Sequence, residues 1–149
     1  MGATARAEHS LIESKEEPVA LGVRLYEDVP QPGIHPVLSR EYYLRAAEVL
    51  RARLRHPHYF IFCSDRKWVE EQFRWPYPHT IIEPKARNED AYQDLWLMGA
   101  CKHFIIPNST FHWWGAWLAS GEKKLVVAPR QGFSNQNTIP ATWLTVDAQ

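Results

Sequence analysis

Short apolar runs alternate along this chain with longer stretches of helical period, and that alternation limits the fold more than any other feature. Residues 19–24, 59–63, 80–82, 104–106 and 124–128 read as brief strands, with 143–146 as one more. Runs this short and continuously apolar suit strands covered on both faces. Between them, Ser39 can cap a helix whose inner face is Tyr42, Tyr43, Ala46, Ala47, Val49, Leu50 and Leu54. Asp65 can cap a shorter helix holding Trp68, Val69 and Phe73. Residues 88–101 carry Ala91, Leu95 and Met98 near a four-residue spacing, and residues 110–120 suit a helix closed by Gly121. A strand that returns through a helix returns in parallel, so the expected class is α/β, a Rossmann-like parallel sheet flanked by helices. Residues 1–17, small and charged without a period, read as a flexible tail or truncated segment, leaving 18–149 as the folded domain.

Composition narrows the function. A chain of 149 residues, 45% hydrophobic, can bury the core of one domain. Seventeen basic and seventeen acidic residues balance without long runs of either sign, which disfavours a nucleic-acid partner. Cys63 and Cys101 have no metal-like spacing and fit two buried thiols in a reducing compartment. No stretch approaches the roughly 18 apolar residues of a membrane-spanning helix. The expectation is a cytoplasmic location, with peripheral membrane association left open.

In open parallel sheets, ligands bind outside the carboxyl ends of the strands. The residues at those exits are Arg24, then Ser64 with Asp65, Glu83 with Lys85, then Asn108, Ser109 and Thr110, and finally Arg130. A fixed cation, a hydroxyl-bearing helix start and acidic acceptors together describe a site for a phosphorylated ligand with a hydrogen-bonding base or sugar. Each member also has a plainer role. Asn108 to Thr110 can simply cap a helix, Asp65 likewise, and Arg24 can pair with Glu27 or Asp28. Asp94 lies inside an apolar helix, where a carboxylate is a poor helix former unless exposed or functional. His112 with Trp113, Trp114 and Trp117 suggests sugar stacking, although helically spaced tryptophans usually pack in the core. His35, His79 and His103 lack ligand-like spacing, and no acidic pair follows a strand to hold a divalent ion, so no metal is expected.

The segment Ile105-Ile-Pro-Asn-Ser-Thr-Phe-His-Trp-Trp-Gly-Ala-Trp-Leu118 resembles the signature of glycosyltransferase family 11, the α-1,2-fucosyltransferases. There an isoleucine-rich strand leads into Ser-Asn-Ser-Ser-Phe-Ser and then Trp-Trp-Gly-Ala-Trp-Leu. Asp94-Leu-Trp-Leu-Met-Gly-Ala-Cys101 is similar to the family's Asp-Leu-x-Leu-Met-x-x-Cys block, and Tyr59-Phe-Ile-Phe-Cys-Ser-Asp65 to its strand ending in Ser-Asp-Asp. Val37-Leu-Ser-Arg-Glu-Tyr-Tyr43 resembles its Leu-x-x-x-Tyr-Tyr helix start. Where the family has His-x-Arg-Arg-Gly-Asp, this chain has Gly22-Val-Arg-Leu-Tyr-Glu27, so Gly22 replaces the histidine and Leu25 the second arginine.

The resemblance implies the donor-binding, carboxy-terminal lobe of a GT-B enzyme, with GDP-fucose as donor substrate, a glycan acceptor, no cofactor, and metal-independent, inverting transfer. Arg24 is the implied catalytic cation at the β-phosphate. Ser64, Asp65, Asp94, Asn108, Ser109 and Thr110 are the implied GDP-fucose contacts, with Asp94 accepting from guanine. Glu27 and Asp28 are candidates for the base, and a partner chain or missing lobe would complete the acceptor site. Gly22 and Leu25 equally suit a non-catalytic or degenerate nucleotide-sugar-binding module. A third reading has the tryptophans facing a protein partner.

Overall fold

The computed structural model of the chain describes residues 2–24, 38–131, 133 and 138–148, with the side chain of Asn88 excepted. Among these residues, β1 (Glu17–Gly22), β2 (Pro57–Phe62), β3 (His79–Ile81), β4 (His103–Ile105), β5 (Val126–Pro129) and β6 (Leu144–Val146) form one sheet. Its order is β3-β2-β1-β4-β5-β6, and every neighbouring pair is parallel. This is the expected α/β, Rossmann-like class.

The sheet is buried on both sides. Val19, Leu21, Tyr59, Ile61, Ile105 and Val127 point into one core, whereas Ala20, Phe60, Phe62, Phe104 and Val126 point into the other, as the two-residue period of a strand requires. Helix α2 (Arg40–Arg51) covers the first face with Tyr42, Tyr43, Ala46, Ala47 and Leu50, all fully buried. Ser39 caps it, its hydroxyl accepting from Tyr42 N–H at 3.3 Å. Asp65 caps α3 (Arg66–Trp68) by accepting from Trp68 N–H at 3.0 Å. That helix continues as a π-turn, Val69–Phe73, and ends on left-handed Arg74. Arg40 donates to the carbonyls of Phe73 and Arg74, at 2.5 and 2.8 Å, and closes the turn against α2.

The second face corrects two expectations. Residues expected as a tail form helix α1 (Ala3–Glu13), with Ala5 and Ile12 buried and His9 stacked on Trp96 at 4.0 Å. Only two of its residues reach the core, which is too weak a stripe to register as a helical period. Strand β1 accordingly starts at Glu17, ahead of the expected Val19.

Helices α4 (Tyr92–Ala100) and α5 (Thr110–Leu118) complete this layer. The buried residues of α5 are Gly115 and Ala116, not its tryptophans. A Cβ on Gly115 would lie 2.5 Å from Met98 Sδ, so the glycine lets α4 and α5 approach. Trp113 is partly buried against the core and donates to Thr138 O at 3.0 Å, while Trp114 and Trp117 are 47% and 50% exposed. Helix α5 stops at Leu118, short of Gly121. Its end is held by Lys124 Nζ, which donates to the carbonyls of Ala116, Trp117 and Ala119 at 2.8, 3.2 and 2.8 Å.

Candidate functional site

The strand order reverses between β1 and β4, and a parallel sheet opens its crevice at such a reversal. The segments leaving these two strands meet there. Arg24 Nη1 donates to Ser109 Oγ at 3.1 Å, joining residues that are distant in sequence. Adjacent residues of α2 hold both exits from beneath. Tyr43 Oη accepts from Arg24 N–H at 3.0 Å, and Tyr42 Oη donates to Ile106 O at 2.6 Å.

Ser109 stands at the amino end of α5 with extended backbone, but its side chain makes no capping hydrogen bond. Its hydroxyl faces Arg24 instead. The first-turn N–H groups of α5 therefore open beside a guanidinium, the arrangement that favours an anion. Asn108 and Ser109 are both buried. Thr110 is exposed and lies outside the crevice lining, so it does not join them.

The crevice has a volume of about 320 Å³. Its far wall carries Ser64, at the exit of β2, and Asp94, in the first turn of α4. Asp94 forms an ion pair with Lys85 at 2.8 Å, the two side chains being 17% and 14% exposed. Burial raises the Asp94 carboxyl above its ordinary value, and Lys85 opposes that shift. Because α4 starts at Tyr92, Asp94 is at a helix amino end, where a carboxylate is favourable, rather than mid-helix. Glu8 of α1 approaches from outside, its carboxylate accepting from Glu83 N–H at 2.9 Å. Cys63 also lines the crevice, with burial pushing its thiol up to about 11.

Of the residues expected at the site, Arg24, Ser64, Asp94 and Ser109 line the crevice, and Asn108, next to Ser109, is buried outside that lining. Asp65 is an exposed cap of α3 and is not part of the lining. Arg130 turns away to pair with Asp147 at 2.7 Å. Leu25, Glu27, Asp28 and His35 lie outside the described residues. His103 is a satisfied core histidine whose Nδ1 accepts from Leu125 N–H at 3.0 Å.

The sequence offered no sign of Glu8 or Arg87 and suggested His112 only for sugar stacking; Arg87 and His112 both line the crevice. The His112 ring is held near Arg24, and burial first, then that positive charge, lower its pKa to about 3. The imidazole is neutral at pH 7. A larger cavity, about 590 Å³, lies at the opposite, amino-terminal edge of β2, lined in part by Arg51, Arg55, His58 and Tyr77. Among the described residues no helix start opens into it, and the reversal is elsewhere.

The sheet order and the cation-lined crevice at its reversal define a doubly wound α/β domain with a candidate site at the switch point. Within that class, the chain belongs to glycosyl transferase family 11, whose family model matches residues 13–143. It is 37% identical to the O-antigen biosynthesis glycosyltransferase WbnK of Escherichia coli over 103 residues, 69% of this chain and 34% of that protein. It is 26% identical to an Escherichia coli alpha-1,2-colitosyltransferase over 119 residues, 76% of this chain and 41% of the relative. A mouse galactoside alpha-(1,2)-fucosyltransferase 1 matches at 26% over 84 residues, 56% of this chain and 22% of the relative. The matched region thus spans between about a fifth and two fifths of these relatives. No helix among the described residues is long and apolar enough to cross a membrane.

Proposed function

We propose that this chain binds the donor of a fucosyl-type transfer, a GDP-linked deoxyhexose, with the diphosphate at the β1–β4 reversal and the base toward Asp94. The observation that carries this reading is the Arg24–Ser109 contact at the uncapped start of α5. It gathers a permanent cation, a hydroxyl and free backbone N–H groups around one point, and negative charge on a departing diphosphate is what such a point stabilises. Arg24 is then the catalytic cation and Ser109 its partner, with Asn108 shaping the same loop.

Asp94, held by Lys85, offers carboxylate oxygens that can accept from guanine N–H groups, a pattern uracil does not match. Ser64, in the crevice lining, meets the ribose in this reading. Neither Thr110 nor Asp65 keeps a ligand role in this reading, since one is exposed and the other caps α3. The transfer runs without a metal or cofactor, the acceptor hydroxyl attacking the anomeric carbon as GDP leaves. The names of the relatives support fucose or colitose as the sugar. Because the chain spans 34% and 41% of the first two, acceptor contacts are assigned to none of these residues.

Calorimetric titration with GDP and UDP tests the proposal. Micromolar GDP binding with at least about tenfold preference over UDP is expected. Equal affinity for the two, or no binding of either, removes it.

Gly22 and Leu25 favour a second reading, a module that holds the nucleotide sugar without transferring it. Release of GDP from GDP-fucose on adding a β-galactoside separates the two. Binding without release selects the second.

A further inference from the structure

His112 takes the place that a side chain at residue 22 would occupy. A Cβ built on Gly22 would lie 2.5 Å from His112 Nδ1, 2.7 Å from His112 Cε1 and 2.9 Å from Pro107 Cδ. Real Cβ atoms do not come this close to a ring, so positions 22 and 112 compete for one volume. Only because residue 22 is glycine can the imidazole lean across the reversal from α5 onto the end of β1.

There the ring lines the crevice together with Arg24 and Ser109. As a whole residue His112 is neither fully buried nor exposed. Phe111 meets it edge-on, the ring centroids 5.6 Å apart. A neutral imidazole keeps one N–H donor and avoids placing a second full cation against Arg24 when no anion is bound.

The sequence pattern has the same logic. The signature that this chain resembles carries histidine at the position of Gly22 and serine at that of His112, a large ring on the strand opposite a small residue on the helix. Here the large and small residues have changed sides across a single contact.

We propose that Gly22 and His112 are a reciprocal exchange, in which α5 supplies the imidazole at the β1 exit and its ring N–H donates to the diphosphate beside Arg24. The proposal rests on the nucleotide reading above and adds to it a phosphate contact from His112.

Calorimetry on the 149-residue chain with GDP and with guanosine tests it. His112→Ala is expected to weaken GDP by about tenfold while leaving guanosine within about twofold, because one hydrogen bond to an anion is lost and the base contacts remain. His112→Gln, which keeps an N–H donor, should hold GDP within about threefold of wild type. Gly22→Ala forces the ring aside and should weaken GDP as His112→Ala does. The double variant Gly22→His/His112→Ser should bind GDP better than either single variant.

GDP affinity unchanged in His112→Ala overturns the phosphate role while the nucleotide reading stands. Equal losses for GDP and guanosine mark a structural residue and overturn it as well. A double variant no better than its singles overturns the exchange. A wild-type chain that takes up neither GDP nor guanosine removes the nucleotide reading itself, and this proposal falls with it.

Discussion

Arg24, leaving β1, donates to the hydroxyl of Ser109, leaving β4, at 3.1 Å, so the two strands that flank the reversal of the sheet are joined at their carboxyl ends. The contact spends the Ser109 hydroxyl on the guanidinium instead of on the helix. It also aims the fixed charge at the start of α5.

The first expectation follows from that pair. Arg24→Ala should weaken GDP by about 10- to 100-fold, the range of one or two charge-assisted phosphate contacts. The melting temperature should change little, because Arg24 is exposed and such contacts contribute little to folding. Arg24→Lys should recover only part of the affinity, since an ammonium cannot reach two acceptors in one plane. Titration beside a thermal melt measures both, and full recovery in the lysine variant would contradict a forked contact.

Lys85 and Asp94 give a pH-dependent expectation. The Asp94 carboxyl is raised by burial, with Lys85 acting against that shift. A carboxyl whose folded pKa is raised favours the folded state most when protonated, and the benefit fades as pH rises through its folded value. Lys85→Met removes the opposing charge and leaves a largely buried carboxylate without its cation. We expect a loss of about 1–3 kcal/mol at pH 8, below the range for fully buried pairs, and a smaller loss near pH 4. Melts of variant and wild type at the two pH values check this, and an equal difference at both would show that the pair has no electrostatic part in stability.

The sheet was legible because strands buried on both faces leave continuous apolar runs, and the caps at Ser39 and Asp65 because their chemistry is local. What lay beyond the sequence was decided by contacts between distant positions. Arg24 meets Ser109 only because β1 neighbours β4, an order that no run of residues announces. His112, on α5, enters the crevice because of an absent Cβ at the end of β1. Helix α1 was missed because two buried side chains in eleven residues give no stripe. The tryptophans of α5 invited a core assignment by type, but the close approach of α4 is made through Gly115, which leaves Trp114 and Trp117 on the outer side.

Lys124 is expected to matter for stability and not for binding. Its three bonds to the last carbonyls of α5 are at the far end of that helix from the crevice. Lys124→Met keeps the aliphatic stem and deletes the cap, which should cost about 1–2 kcal/mol. GDP affinity measured well below the melting temperature should stay within about twofold of wild type. A tenfold loss of affinity would mean that the carboxyl end of α5 controls its amino end.

The neighbouring tyrosines of α2 separate support of one strand exit from support of the other. Tyr42 donates to Ile106 O at 2.6 Å behind β4, and Tyr43 accepts from Arg24 N–H at 3.0 Å behind β1. Both rings are fully buried, so replacing either by Phe changes hydrogen bonding with little change in packing. Each loss should cost about 1 kcal/mol of stability, and their effects on the ligand should differ. Tyr43→Phe frees the backbone that carries the guanidinium and should weaken GDP by about three- to tenfold, as a misplaced cation would. Tyr42→Phe acts on β4 ahead of Pro107, behind a helix start whose N–H groups are fixed by their own helix, and should leave GDP within about twofold. Melting temperatures and GDP titrations of both variants decide this. Equal losses of affinity would place the support of the crevice in α2 as a whole and not in the backbone of Arg24.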